Sequence, residues 1–94
     1  MKEKTTILIA DDNQEFAQTL ARYIQEQDDM EVIGIAKDGE EAIDMITNVM
    51  PDVALLDVIM PHLDGLGVLE KIQSQKLEKT PMCIMLLSSY SPTG

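Results

Sequence analysis

The sequence predicts an α/β domain in which helices cover both faces of a parallel sheet, and two observations support this prediction. Strand-like and helix-like segments alternate along the chain in the order βαβαβαβ. The strand-like segments are near-continuous apolar runs, which are typical of parallel strands buried on both faces, whereas antiparallel strands usually alternate apolar and polar residues. A length of 94 residues allows one domain, which we expect to span 1–94.

The first two elements are a strand and an amphipathic helix. Residues 5–10 are β-branched and apolar, and the Asp-Asp-Asn sequence at 11–13 ends the strand with residue types that also cap helices. A helix over 15–27 is indicated because apolar side chains recur there with helical spacing. The expected buried face of this helix is formed by Phe16, Leu20, Tyr23 and Ile24.

The second strand and helix follow the same plan. Residues 30–36 form an apolar run, and Asp38 is followed three residues later by Glu41, a pattern that resembles a capping box. We therefore expect a helix to begin close to Asp38 and to lead into a connection that Pro51 closes. Its predicted buried residues are Ala42, Ile43, Ile46 and Val49.

The third strand is an apolar run that ends at a carboxylate. Residues 53–56 read Val-Ala-Leu-Leu, Asp57 follows at once, and residues 58–60 are again apolar. An ionised carboxylate buried in apolar surroundings costs several kcal/mol unless something pairs with it. We therefore expect Asp57 to lie at the end of the strand, where it meets solvent, a metal ion or a partner.

The remaining elements are a third helix and a fourth strand. Asp64 and Gly65 are expected to open the helix, and Gly65 and Gly67 to permit a tight turn into it. Pro81 precedes the strand, which we place at 82–87. The residues of the third helix predicted to face the core are Leu66, Leu69 and Ile72.

Three acids are predicted to converge at one edge of the sheet. Ligand sites in open parallel sheets lie beyond the carboxyl ends of the strands. If the first and third strands are neighbours, Asp11, Asp12 and Asp57 all emerge there. Carboxylates this close repel one another. A bound hard divalent cation, Mg²⁺ or else Mn²⁺, usually offsets this repulsion. The alternative is that Asp11 and Asp12 only cap the first helix.

The composition restricts the partners and the compartment. Seven basic and seventeen acidic side chains give a net charge of -10 with no basic stripe, which argues against nucleic acid as a partner. The one cysteine, Cys83, allows no internal disulfide and is expected to be a small buried apolar residue. The N-terminal apolar run is too short for a signal peptide or a membrane span, so we expect no membrane partner and a cytoplasmic location.

Three motifs resemble those of a known family. They are the paired acids in ILIADDN, the strand-end acid in PDVALLDVIMP and the HLDG that follows it. Together they resemble the receiver domain of bacterial two-component response regulators, and VIG, PDV and IMPHLDGLGVLE look closest to the sporulation regulators of that family. The resemblance covers residues 6 to about 90. It implies a flavodoxin-like, doubly wound parallel sheet with strand order 2-1-3-4.

The resemblance also implies a function. Asp57 would be the phosphoacceptor, taking a phosphoryl group from the phosphohistidine of a histidine kinase or histidine phosphotransferase. The domain would therefore be an acceptor and not a turnover enzyme. Mg²⁺ would be held directly by Asp57 and Asp12, through water by Asp11, and by the backbone carbonyl of Ile59.

The C-terminal part of the chain differs from the family pattern. Ser88, with Ser89 as the alternative, resembles the serine or threonine that in the family turns toward the phosphoryl group. The fifth strand, its terminal lysine and the last helices of a complete receiver are missing, so the sequence is interpreted as truncated after the fourth strand. We therefore expect slow phosphorylation, and self-association of the exposed fourth strand as a homodimer.

Two other functions remain open at this point. A receiver-like chain could dock a phosphotransfer partner without being productively phosphorylated. A phosphatase of the dehalogenase-like type would also use an aspartate nucleophile. It needs a second acid two residues after that nucleophile, where this chain has Ile59.

Overall fold

The computed structural model describes residues 4–58, 63–75 and 80–86. The bounds of its elements are β1 Thr5–Ala10, α1 Gln14–Gln25, β2 Met30–Ala36, α2 Gly39–Val49, β3 Val53–Asp57, α3 Gly65–Ser74 and β4 Met82–Leu86. The predicted bounds of β1 and β2 are confirmed, and β3 includes Asp57. The helix expected at 15–27 begins and ends earlier, while residue 87 lies outside the described residues.

The described strands form one parallel sheet in the order β2-β1-β3-β4. The predicted fold class and strand order are confirmed. β1 pairs with β2 on one side and with β3 on the other, and Ala10 lies opposite Leu56. The carboxyl ends of β1 and β3 are therefore side by side, as a site shared by the residues that follow them requires.

Successive residues of the strands contribute to hydrophobic cores on opposite faces of the sheet. One core contains Leu8 and Leu56 together with residues of α2 and α3. The other contains Ile7 and Ile9 together with residues of α1. Because side chains alternate along a strand, burial on both faces requires apolar residues at every position. This explains why the strands appear in the sequence as continuous apolar runs.

The buried face of α1 differs from the prediction. Phe16 and Tyr23, both expected inside, are 37% and 66% exposed. The residues that face the core are Ala17, Leu20, Ala21 and Ile24. Their spacing is itself helical, so the period was correct and the face was rotated. Two alanines on this face allow the helix to approach the sheet closely, and the prediction gave too much weight to the aromatic residues.

Two residues of α2 and α3 that were predicted to face the core lie at the surface. Val49 is 48% exposed and Leu66 is 55% exposed. Ile46 and Ile72 are buried as predicted, and Val68 is buried although it was not predicted to be. The buried face of α3 follows positions 65, 68 and 72, and Leu66 lies off this helical stripe.

The N-terminus of α2 carries the predicted cap in a modified form. The Asp38 carboxylate accepts a hydrogen bond from the Glu41 backbone N–H at 2.8 Å. The Glu41 carboxylate accepts one from the backbone N–H of Lys37 at 2.8 Å, where a standard capping box would use the N–H of Asp38. Both carboxylates thus satisfy backbone donors at the start of the helix.

The third helix begins at Gly65, as predicted, behind an aspartate cap. Asp64 caps it by accepting a hydrogen bond from the Gly67 N–H at 2.8 Å, and the helix starts directly at Gly65. No glycine among the described residues has a positive φ, so neither Gly65 nor Gly67 adopts a left-handed conformation at the start of the helix. Among residues 4–58, 63–75 and 80–86, no helix is long and apolar enough to cross a membrane.

Hydrogen bonds between Thr6 and Asp52 join β1 to β3 at the amino edge of the sheet. The Asp52 carboxylate accepts from the Thr6 N–H at 2.8 Å and from the Thr6 hydroxyl at 3.0 Å. The Asp52 N–H donates to the Thr6 carbonyl at 3.0 Å and to its Oγ1 at 2.9 Å. The Asp52 carbonyl also accepts from the N–H of Met82 at 2.9 Å. Asp52 therefore connects the starts of three neighbouring strands.

Candidate functional site

Three carboxylates meet at the carboxyl edge of the sheet. Asp11 and Asp12 follow β1, and Asp57 is the last residue of β3, its neighbour in the sheet. One carboxylate oxygen from each of the three residues lies within 4.8 Å of the other two. The pairing of β1 with β3 is what brings residues so distant in the sequence into one cluster.

The three acids differ in their exposure to solvent. Asp11 and Asp57 are fully buried, with 0% exposure, and they are the buried charged residues among those described. Asp12 is exposed. The site therefore has two carboxylates fixed within the protein and a third at its open side, where a ligand or a partner can approach.

The backbone around Asp11 is held by several hydrogen bonds. Its N–H donates to the Ala36 carbonyl at 2.9 Å, which extends the pairing of β1 with β2. Its Oδ1 accepts from the Asn13 N–H at 2.8 Å, and its carbonyl accepts from the Gln14 side-chain amide at 2.8 Å. These bonds fix the direction of the Asp11 carboxylate before any ligand binds.

The cap of α1 is the last of the three capping-type residues at 11–13. Asn13 is the N-cap, and its side chain accepts from the Phe16 N–H at 3.0 Å. The alternative in which Asp11 and Asp12 only cap this helix is therefore wrong. An asparagine three residues before the first apolar residue of a helix is the signal that identifies the cap.

The donor set fits a hard divalent cation. Carboxylate oxygens are the ligands that Mg²⁺ and Mn²⁺ prefer, and Mg²⁺ keeps several waters when few protein oxygens are available. The clustered oxygens lie within 4.8 Å of one another, so the ionised forms of these carboxylates repel. A bound cation would remove this repulsion between Asp11 and Asp57.

Three predicted site residues lie outside the described part of the chain. Ile59, whose backbone carbonyl was predicted to bind the metal, lies outside the described residues. The same is true of Ser88 and Ser89, the two candidates for the residue that turns toward the phosphoryl group. Their roles remain predictions from the sequence.

The cysteine is not part of the acidic cluster. Cys83 lies on β4 and packs beside the core formed with α2 and α3, partly buried where full burial was expected. Burial raises the pKa of its thiol, so the group stays protonated at neutral pH. The thiol Sγ is 3.8 Å from the carbonyl oxygen of Pro81. These observations agree with a packing role for Cys83.

The chain belongs to the response regulator receiver domain family, whose model matches residues 7–93. Receiver domains are phosphoacceptors and not turnover enzymes, and they bind Mg²⁺ through acidic residues. The cluster of Asp11, Asp12 and Asp57 supplies acids of this kind at the edge of the sheet.

Solved structures of similar proteins share this fold. The response regulator domain of Thermotoga maritima CheB is 36% identical with a TM-score of 0.79, over 88% of this chain and 60% of that one. The receiver domain of the putative response regulator NarL from Mycobacterium tuberculosis is 32% identical with a TM-score of 0.80. The match covers 96% of this chain and 71% of that one. A chain of the CheX-CheY-BeF3-Mg²⁺ complex from Borrelia burgdorferi is 30% identical with a TM-score of 0.76. The match covers 88% of this chain and 61% of that one. The match therefore spans 60 to 71% of these three chains.

Proposed function

We propose that this receiver domain accepts a phosphoryl group on Asp57 from the phosphohistidine of a histidine kinase or histidine phosphotransferase, with Mg²⁺ bound beside it. The observation that carries the proposal is the cluster of two buried carboxylates and one exposed carboxylate at the joined ends of β1 and β3. Membership of the receiver family supports the same reaction.

The proposed reaction breaks a P–N bond and forms a P–O bond. A carboxylate oxygen of Asp57 attacks the phosphorus of the phosphohistidine. The imidazole nitrogen leaves with the electrons of the broken bond, and a proton restores the neutral ring. The products are an acyl phosphate on Asp57 and an unmodified histidine. Pairing of β3 with β1 and β4 fixes the backbone of the nucleophile, which favours the in-line approach of the donor.

The negative charge of the site explains why the reaction needs a cation. Mg²⁺ would offset the charge of the transferred group, which otherwise approaches three carboxylates. The chain's contribution is to hold the ligands in place. We propose Asp57 and Asp12 as direct ligands, Asp11 as a ligand through water, and the Ile59 carbonyl as a further ligand. The Asn13 N–H holds the Asp11 carboxylate in the required direction.

Incubation with a small-molecule phosphodonor and Mg²⁺ should add one phosphoryl group to each chain. Intact mass spectrometry measures the addition, which hydroxylamine should remove because it cleaves acyl phosphates. Chelation of the metal with EDTA should prevent the addition. No added mass in a chain that is shown to be folded would contradict the proposal, as would an addition that resists hydroxylamine.

A residue that responds to phosphorylation and a sporulation phosphorelay also belong to the proposed function. Ser88, or Ser89 in its place, is proposed to turn toward the phosphoryl group once it is on Asp57. The likeness of VIG, PDV and IMPHLDGLGVLE to sporulation regulators supports a sporulation phosphorelay in the cytoplasm. A net charge of -10 argues against a nucleic acid partner for this chain.

We also propose that two copies of the chain associate through β4. This strand lies at the edge of the sheet formed by the described residues. Met82 and Ile84, on the same face of the strand, are 65% and 41% exposed. Edge strands with exposed apolar side chains tend to pair with other chains. The charge of -10 on each copy opposes association, so added salt should strengthen it.

Sedimentation velocity at several protein and salt concentrations measures this association. The substitution Ile84→Lys should reduce the dimer fraction. Leu66→Lys makes the same change at an exposed residue of α3 and should leave the fraction unchanged. A monomer under all conditions, or equal effects of the two substitutions, would contradict the proposed interface.

A further inference from the structure

Asn13 forms hydrogen bonds both to the acidic cluster and to helix α1. Its backbone N–H donates to the Asp11 Oδ1 at 2.8 Å. Its side-chain Oδ1 accepts from the Phe16 N–H at 3.0 Å, and its carbonyl accepts from the Ala17 N–H at 3.0 Å. One residue therefore connects a buried carboxylate of the cluster to the first turn of α1.

The segment that makes this connection is short and held at both ends. β1 ends at Ala10 and α1 begins at Gln14, so only residues 11–13 lie between them. On the strand side, the Asp11 N–H donates to the Ala36 carbonyl at 2.9 Å. On the helix side, the Gln14 side-chain amide donates to the Asp11 carbonyl at 2.8 Å. Because the main chain of Asp11 is fixed, a change in the direction of the Asn13 N–H acts on the Asp11 carboxylate.

The side chain of Asn13 restrains the direction of its own N–H. The residue has an extended backbone, with φ -85° and ψ 93°, which is the conformation of an N-cap. The bond from the Phe16 N–H to the Asn13 side chain stabilises this conformation. Without an acceptor at this position the first turn of the helix frays, because its N–H groups have no partner within the helix. The Asn13 N–H would then hold the Asp11 carboxylate less firmly.

We propose that Asn13 is a positioning residue for the cation site, because by capping α1 it fixes the N–H that holds the Asp11 carboxylate. This inference rests on the proposed function, since it assumes that a divalent cation binds at Asp11, Asp12 and Asp57. It adds that the cation and the first turn of α1 stabilise each other. Such coupling is reciprocal, so a bound cation must strengthen the cap as much as the cap strengthens cation binding.

Mn²⁺ binding to the whole chain, measured from the electron paramagnetic resonance signal of the free ion, tests one direction of the coupling. Asn13→Ala removes the capping oxygen and should weaken binding about tenfold, as expected for groups that support metal ligands. Asn13→Ser keeps an oxygen that caps helices well and should bind Mn²⁺ with nearly the affinity of the parent. Both substitutions leave the net charge at -10, so a change in overall charge does not explain the difference.

A control substitution must weaken α1 without touching the segment at 11–13. Gln18→Gly meets this condition, because Gln18 is exposed inside the helix and glycine there lowers helix stability, as loss of a cap does. It also leaves the net charge unchanged. The control should bind Mn²⁺ as the parent does.

Amide hydrogen exchange of the parent chain tests the other direction without any substitution. Mg²⁺ should slow exchange of the Phe16 amide, which the Asn13 side chain caps. The Glu41 amide is the internal control, because the Asp38 side chain caps it in the same way at the start of α2. Mg²⁺ should slow its exchange less than that of the Phe16 amide. In Asn13→Ala the effect of Mg²⁺ on the Phe16 amide should disappear.

The outcomes separate this inference from the proposed function. If the parent chain binds no Mn²⁺, both are wrong. If the parent binds Mn²⁺ and folded Asn13→Ala binds it equally well, only the inference is wrong. Equal weakening by Asn13→Ala and Gln18→Gly, or no recovery in Asn13→Ser, would also overturn it. Should Asn13→Ala fail to fold, the parent decides alone: equal effects of Mg²⁺ on the Phe16 and Glu41 amides would contradict the inference.

Discussion

Replacement of Asp57 by asparagine should abolish phosphoryl transfer to the chain. An amide has almost the same size and shape as a carboxylate, but its oxygen is a poor nucleophile and carries no full charge. Asp57 is fully buried at the end of β3, so no other acid reaches the same position without movement of the sheet. Intact mass spectrometry after treatment with a phosphodonor and Mg²⁺ should show one added phosphoryl group in the parent and none in the variant.

The control for Asp57→Asn must remove a charge without disturbing the sheet. Asp44→Asn meets this condition, because Asp44 is exposed on α2 and the change also takes the net charge from -10 to -9. Asp52→Asn does not, because the Asp52 carboxylate accepts two hydrogen bonds from Thr6 that join β3 to β1. Labelling of Asp57→Asn, or loss of labelling in Asp44→Asn, would show that the acceptor is another residue.

The same variants test the metal in the absence of any phosphodonor. A ligand that binds only the native state stabilises it by about 2.7 kcal/mol at one hundred times its Kd. Mg²⁺ or Mn²⁺ should therefore raise the Tm of the parent chain. The Tm of Asp57→Ala should not respond to metal, because one of the three clustered ligands is missing. An equal rise in the Tm of the parent and of Asp57→Ala would show that the metal binds at another site.

The fold was predictable from the sequence because its two central strands, β1 and β3, are largely buried on both faces. Mainly apolar runs, one ended by Asp11 and the other preceded by Asp29, located β1 and β2 to the residue. The orientation of α1 was not predictable in the same way. Its inner face depends on Ala17 and Ala21, and the sequence cannot show that close packing on the sheet is favoured over burial of Phe16 and Tyr23.

The acidic cluster was predictable from topology, whereas the contacts that hold it in place were not. Neighbouring parallel strands that end in acids must bring those acids to one edge. The hydrogen bond from the Asn13 N–H to Asp11 depends on local backbone geometry.

Replacement of Asp52 by alanine should lower the free energy of unfolding by about 2 to 4 kcal/mol. The substitution leaves the Thr6 N–H and hydroxyl without the carboxylate that accepts from both, and hydrogen bonds to charged groups contribute about 1.5 to 3 kcal/mol each. Domains of this kind are stable by only about 5 to 15 kcal/mol, so the loss is a large fraction of the total. Urea unfolding followed by circular dichroism measures it.

Two further variants show whether the bonds to Thr6 are responsible. Asp52→Asn keeps one carbonyl acceptor and should cost less than Asp52→Ala. Thr6→Val removes the hydroxyl, and a double-mutant cycle with Asp52→Ala should give a coupling energy of about 1 kcal/mol. Asp52 lies at the amino edge of the sheet, five residues or about 16 Å from Asp57 along β3. The folded Asp52→Ala variant should therefore still be phosphorylated. If Asp52→Ala lowers the free energy of unfolding by less than about 0.5 kcal/mol, the effect is that of an ordinary surface substitution and the prediction is wrong.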